Sequence, residues 1–354
     1  MPVAAKRHRT PVSAVRLGGR LKRSPLPDAP VTMLASLAAE PFDHPDWISE
    51  PKYDGLRVLV RFDGEELILI SRNGKSQNFQ FPEVADALRD ALDRPAVLDG
   101  EIVCFDDAGK TSFRALQQRF HLLDEGEVRE RAEKYPAYIY LFDILYFDRY
   151  DVTPLPLGER KAILRNAVRW TNVVRETPFR RGHGVEALRT ACRTGEEGIL
   201  AKDWNAAYTP GRGAGWVKVK CVGRQEFVIG GFTDPQRSRV GLGALLVGYY
   251  DDRSRFTYAG KVGTGYTHDL LLDLRDRLGR IETAQSPFAV GHPPRGGHVH
   301  WVRPKYVAEI GFAEWTQNGL LRQPRFEGLR EDKSPRQVRR ERPTVSGKQL
   351  TRKG

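Results

Sequence analysis

Residues 50–57 read EPKYDGLR: a lysine stands two places after a glutamate and two before an Asp-Gly pair, with Arg57 three beyond the aspartate. A lysine so placed has two plausible uses. It can be a solvated charge at a hairpin edge, because the apolar run Val58-Leu59-Val60 follows directly. It can also be a nucleophile held at the floor of a phosphate site. A free lysine has a pKa of ~10.4 and is mostly protonated near neutrality. The second use therefore needs cations or a bound metal nearby to favour the neutral amine. The four residues from Lys52 to Gly55 do not decide between the two.

The series that follows shifts the balance. Ser71-Arg72-Asn73-Gly74 comes next, then Asp99-Gly100-Glu101 in one strand-like run and Phe142-Asp143 in another. Glu197-Gly198-Ile199-Leu200-Ala201-Lys202 and Trp216-Val217-Lys218-Val219-Lys220 come after these, and Arg330-Glu331-Asp332-Lys333 lies far downstream. In this order the series resembles the nucleotidyltransferase motifs of ATP-dependent DNA ligases, which are related to RNA ligases and mRNA capping enzymes. The likeness is nearest to the ligase module of bacterial end-joining ligases, through EFVIGGFTDPQRSRVGLGALLVGYY, YAGKVGTGY and EWTQNGLLRQPRFEGLREDK. It covers roughly residues 31–335. One departure is that Val31-Thr32-Met33-Leu34 lacks the proline often found between Thr and Met.

The resemblance implies an enzyme that seals 5′-phosphate/3′-hydroxyl nicks in DNA repair, through a lysyl-AMP and a DNA-adenylate. Lys52 would be the nucleophile toward ATP, with Lys218, Lys220 and Mg²⁺ (Mn²⁺ as the alternative) supplying positive charge. The same charges would stabilise the phosphorus oxygens in the transition state. Magnesium needs only one or two carboxylates. Glu197 is the implied metal ligand, and Glu101 contacts the ribose or a metal. Phe142 would stack on the adenine, with Glu50 near its edge, Arg57 and Arg72 near ribose and phosphates, and Lys202 in the nucleotide site. Arg330, Asp332 and Lys333 would orient the pyrophosphate. Taken one by one, the carboxylates read as solvated strand ends, Phe142 as core, Lys202 as a strand-edge lysine and REDK as a charge run. The implied partner is nicked duplex DNA, with DNA-end-binding or repair proteins as further candidates. An RNA ligase, a GTP-using capping-type enzyme and a non-catalytic nucleic-acid binder with a decayed site are the competing readings.

The elements that must hold these residues are mixed. LRVLVRF, ELILISR, AVLDGEIVCF and AYIYLFDILYF read as strands, whereas FPEVADALRDAL, GERKAILRNAV and GVEALRTACRTG have helical spacing. That mixture is α+β, a nucleotidyltransferase domain expected over residues 31–222. After Lys220 the pattern becomes short strands with one helical segment, HDLLLDLRDRL, as expected of a small barrel of the OB type over 223–334. Residues 1–30 read as a flexible basic arm, 335–354 as a basic tail and 221–224 as a hinge. The chain has 354 residues and a formal charge of +12, yet seven Lys/Arg and no acid fall in residues 1–24, and nine Lys/Arg against three acids in 330–354. The body is therefore near neutral, and basic ends suit a polyanion such as nucleic acid. No apolar run approaches the ~20 residues of a membrane span. The three cysteines, Cys104, Cys192 and Cys221, offer neither a disulfide framework nor a zinc cluster. The expectation is a two-domain monomer in the bacterial cytoplasm, at the nucleoid.

Overall fold

The structure, a computed structural model, describes residues 21–28, 30–120, 122–194, 196–221, 223–235, 240–330 and 333–341. Most of the expected arm, Val222 of the expected hinge, Asp332 and residues 342–354 lie outside the described residues. The chain divides into two compact units, one running through Val219 and the other spanning Lys220–Arg342.

The first unit carries two sheets. Its strands are β1 (Met33–Leu37), β2 (Trp47–Pro51), β3 (Leu56–Phe62), β4 (Leu67–Ser71), β5 (Ala96–Cys104), β6 (Ala137–Phe147), β7 (Tyr150–Asp151), β8 (Val174–Glu176), β9 (Arg180–Arg181), β10 (Gly198–Asp203) and β11 (Gly211–Lys220). One sheet has the order β1-β11-β10-β2-β9; the other runs β4-β3-β5-β6-β7, with β8 beside β6. The helices are α1 (Pro82–Ala91), α2 (Phe113–Gln117), α3 (Glu125–Lys134), α4 (Leu157–Ala167) and α5 (Gly184–Thr194).

The alternation of LRVLVRF explains how the second sheet is used. Leu56, Val58, Val60 and Phe62 point to a core shared with Val84, Ala85 and Leu88 of α1. Arg57 and Leu59 point to the opposite face, where Leu59 joins Val97, Phe142 and Trp216. The polar residues expected to do chemistry thus lie on the face away from the α1 core. A β-bulge between Asp99 and Gly100 breaks the register with β6 and leaves Asp99 opposite Asp143. Two buried carboxylates opposite one another require two cations, and each has its own arginine, Arg57 for Asp99 and Arg160 for Asp143.

The second unit is a seven-stranded antiparallel sheet. It contains β12 (Gly223–Thr233), β13 (Leu245–Tyr250), β14 (Phe256–Val262), β15 (Glu282–Thr283), β16 (Val299–Val302), β17 (Val307–Phe312) and β20 (Arg325–Arg330), with a two-stranded β18 (Glu314–Trp315) and β19 (Leu321–Arg322) apart. Among the described residues one α-helix of this unit, α6 (His268–Gly279), follows β14. β12 pairs with β13, β16 and β17, and β17 pairs with β20. An isolated bridge between Thr264 and Arg325 draws the ends of the sheet toward closure.

The start of the expected basic tail is docked on this unit instead. A 3₁₀ turn at Pro335–Gln337 leads to Val338, which is fully buried among Val228, Tyr250, Phe256 and Val307. The Tyr250 amide donates to the Val338 carbonyl at 3.0 Å. The Gln225 side chain donates to the Arg339 carbonyl at 3.1 Å and accepts from the Glu341 amide at 2.8 Å. One apolar residue in a basic run is enough to anchor it here.

Candidate active site

Lys52 lies where the chain leaves one sheet for the other. β2 pairs antiparallel with β10, Glu50 opposite Leu200 and Pro51 opposite Ile199. The Lys52 amide extends that pairing by donating to the Gly198 carbonyl at 3.0 Å. Tyr53, Asp54 and Gly55 then carry the chain to β3. The crossing runs hard against β5: a Cβ at Gly55 would lie 2.4 Å from the Ile102 carbonyl oxygen and 2.8 Å from Glu101 Cγ. The Lys52 ammonium forms an ion pair with Glu197. The lysine side chain is 22% exposed and that of Glu197 4%. The first and fifth motifs of the series therefore meet in space.

Behind Lys52 the site is dry and ionic. The Glu50 carboxylate is buried between two lysines, with Lys161 Nζ at 2.6 Å from Oε1 and Lys202 Nζ at 2.6 Å from Oε2. Lys202 is fully buried, and burial pulls its pKa below the ordinary lysine value; Glu50 opposes that and Lys161 adds to it. Its ammonium stands 4.2 Å from the Phe142 ring centroid and 4.0 Å from that of Trp216. Glu50 was expected at a base edge, but its carboxylate is occupied with the two lysines. Phe142 is 5% exposed in the cluster with Trp216.

Arg57 is fixed from β5. Its Nε and Nη2 donate to Asp99 at 2.9 and 2.6 Å, and the Tyr208 hydroxyl donates to the same carboxylate at 2.8 Å. Burial alone would weaken the Arg57 charge, but Asp99 outweighs it and holds the guanidinium charged. Glu101 sits opposite Arg57 in the β3–β5 register. Arg72 stays exposed in the turn after β4. Lys218 follows Trp216 at two-residue spacing on β11 and so shares its face.

A cavity of about 460 Å³ is lined by Pro51 and Tyr53, the chain neighbours of Lys52, though not by Lys52 itself. Glu50, Tyr53, Tyr140, Phe179, Glu196 and Ile199 are in its lining. Tyr53 stacks on Tyr140 at 4.4 Å between ring centroids. Burial raises the pKa of the Tyr53 hydroxyl, and it also raises that of the Glu196 carboxyl. This volume falls within the ~300–1,000 Å³ of small-molecule sites.

Two family models match the chain. Residues 32–220 match the ATP dependent DNA ligase domain, and residues 238–333 match the ATP dependent DNA ligase C terminal region. The chain belongs to the ATP-dependent DNA ligase family. Its fold is α+β, an adenylation domain followed by an OB-fold domain. It is 38% identical over 332 residues to the multifunctional non-homologous end joining protein LigD of Pseudomonas aeruginosa, matching 91% of this chain and 38% of that protein. The LigD protein of Mycolicibacterium smegmatis is 34% identical over 297 residues, 82% of this chain and 37% of its own length. The chain thus spans less than two fifths of these relatives. A mycobacterial DNA ligase D solved with ATP and MES superposes with a TM-score of 0.63 at 32% identity, covering 88% of this chain and 98% of that one.

Two observations bear on the groups this family uses. Glu197 is a nearly buried hard-oxygen donor beside Lys52, and no cluster of three or more His, Cys, Asp or Glu that could hold a metal occurs among the described residues. A donor set of one or two carboxylates fits magnesium bound together with substrate phosphates, but not a protein-only cage. In the second unit, Lys333 pairs with Glu226, Arg330 Nη1 lies 4.0 Å from Glu309, and Lys220 Nζ lies 3.2 Å from Glu341. Glu226 and Glu309 face each other across β12 and β17. The sequence reading did not single out Lys161, Tyr208, Tyr53, Tyr140 or the Asp99 carboxylate. Asp99 and Tyr53 stand inside quoted motifs, but Lys161, Tyr208 and Tyr140 carry no spacing signal of their own.

Proposed function

We propose that this chain is an ATP-dependent DNA ligase that seals 5′-phosphate/3′-hydroxyl nicks in duplex DNA. The observation that carries the reading is the meeting of Lys52 with Glu197 at the crossing between the two sheets. The neutral Lys52 amine attacks the α-phosphorus of ATP; the P–N bond forms, the α–β anhydride bond breaks and pyrophosphate leaves. AMP then passes to the 5′-phosphate of a nick, and the 3′-hydroxyl attacks that phosphate and expels AMP.

Before the first step Lys52 must lose its proton. Its ammonium is held by Glu197, so Lys52 can turn to the phosphate when Glu197 is engaged elsewhere. Glu197 and Glu101 are the residues that would hold Mg²⁺, or Mn²⁺ in its place, which when bound neutralises phosphate charge as a Lewis acid. Lys218 and Lys220 add positive charge for the phosphorus oxygens. Arg57 and Arg72 serve ribose and phosphates, and Phe142, Glu50 and Lys202 serve the base. Arg330, Asp332 and Lys333 serve the departing pyrophosphate, a role that rests on the resemblance alone. The proposed partners are nicked duplex DNA and DNA-end-binding or repair proteins, and the protein acts as a monomer in the cytoplasm, at the nucleoid.

The test is labelling with α-labelled ATP and Mg²⁺, comparing wild type with Lys52→Ala, then a chase with nicked DNA. A covalent label that needs Lys52 and is discharged with sealing supports the reading. A label that nicked DNA cannot discharge refutes the DNA-ligase assignment. No label, on protein shown to be free of prior adenylation, refutes the role of Lys52.

A further inference from the structure

Lys161 belongs to no motif of the series, yet it is among the most completely enclosed cations in the first unit. Its side chain is 3% exposed. Its ammonium meets Glu50 at 2.6 Å, donates to the Phe142 carbonyl at 3.2 Å and lies 5.0 Å from the Phe179 ring centroid. The three donors of an ammonium thus have three destinations. Lys202 takes the other oxygen of the same carboxylate and rests against Phe142 and Trp216.

Two buried cations on one carboxylate leave a net positive charge in a dry place, which costs more than one neutral pair. If packing were the only requirement, an apolar residue at 161 with a single Lys202–Glu50 pair would meet it at lower cost. The second lysine instead has a positional effect. It fixes the Glu50 carboxylate from one side and so fixes where Lys202 stands on the other. It also ties down the carbonyl of Phe142, the ring against which Lys202 rests.

We propose that Lys161 is the positioning residue for the base-binding pair Phe142 and Lys202, and through them a determinant of purine choice. The proposal rests on the reading that these two residues meet the base of ATP. Lys161 competes for Glu50 and leaves the Lys202 charge only partly neutralised. An ammonium offers donors and no acceptor. A donor-only group held beside the stacked ring suits adenine, whose N1 is an acceptor, and opposes guanine, whose N1 carries a hydrogen.

The test uses the full chain with Lys52→Ala, so that binding is read without chemistry. ATP and GTP affinities are measured by calorimetry with and without Lys161→Met, beside the melting temperature of each protein. The expected result is ATP binding weaker by tenfold or more and a narrower preference for ATP over GTP in the double variant, with Lys161→Arg recovering part of both. Equal ATP affinity and equal preference in the two proteins would overturn the proposal while leaving the ligase reading standing. Failure of Lys52→Ala alone to bind ATP would instead overturn the ligase reading and this proposal with it. Should Lys161→Met not fold, Lys161→Gln carries the same comparison, since it keeps a donor for the Phe142 carbonyl and removes the charge.

Discussion

Asp143→Asn tests how the first unit holds its charges. Arg160 Nε and Nη2 donate to the two Asp143 oxygens at 2.8 and 2.9 Å, and both side chains are 0% exposed. Arg160 Nη1 also donates to the Leu155 and Ala206 carbonyls at 2.5 and 3.0 Å. The amide keeps the size of the carboxylate but leaves the guanidinium buried without its anion. Breaking such a pair costs ~3–5 kcal/mol. Asp99, opposite in register, cannot substitute because Arg57 and Tyr208 already occupy it. At about 2–4 °C per kcal/mol for a unit of this size, melting falls by roughly 6–20 °C. The pair Asp143→Leu with Arg160→Met removes both charges and should recover the ion-pair part, leaving the Leu155 carbonyl without its Arg160 donor at ~1–3 kcal/mol, while the Ala206 carbonyl keeps the Leu157 amide. Calorimetry on Asp143→Leu, Arg160→Met and their double then closes a cycle with a coupling of at least ~3 kcal/mol. Additive losses, or a fall of less than about 2 °C for Asp143→Asn, would show that the site is not as dry as this reasoning requires.

Two further perturbations follow from the packing and the charges. Gly55→Ala should cost ~1–3 kcal/mol, because its Cβ would lie 2.4 Å from a backbone carbonyl that cannot swing away; the same shift displaces Lys52, so adenylation should fall at least tenfold, read by melting and by labelling. Burial alone would raise the Glu226 carboxyl, but Lys333 and then Arg330 outweigh it and hold the pKa below the usual range. A depressed carboxylate adds stability above its unfolded pKa of ~4.3, and that stability is lost as pH falls through the folded value. Wild type should therefore exceed Glu226→Gln in stability at pH 7 and lose that advantage in acid; an unchanged gap at pH 3 would contradict the assignment.

The large elements were legible because their period is clean. LRVLVRF sends alternate residues to opposite faces, and α1 begins at a proline and buries Val84, Ala85 and Leu88. The two-residue strands β7, β9 and β15 had no such signal, since two residues define no period. The docking of residues 334–341 was hidden because one valine in a basic run does not stand out until Gln225 and Tyr250 are seen beneath it. In the site, Lys52 and Glu197 were readable from motif order. The pairing of Lys161 with Glu50 was not, because it joins a helix to a strand far away in the chain through a contact that depends on burial.

The buried charges also separate the lysine that can react from those that cannot. Arg160, Lys161 and Lys202 each hold a carboxylate and are enclosed, with side chains no more than 3% exposed. For any of them to exchange that partner for a phosphate would expose a buried anion to an apolar wall, at the cost of an unpaired charge. Lys52 also holds a carboxylate, but its side chain is 22% exposed and it stands just past the end of β2. Its partner Glu197 is an oxygen donor of the kind a hard cation takes. Exchange of partners is therefore cheapest at Lys52. Burial pulls the Lys202 pKa below the ordinary lysine value, yet its ammonium is fully buried against Glu50, Phe142 and Trp216. A low pKa alone does not make a nucleophile; access and a replaceable counter-ion do, and of these lysines Lys52 combines them.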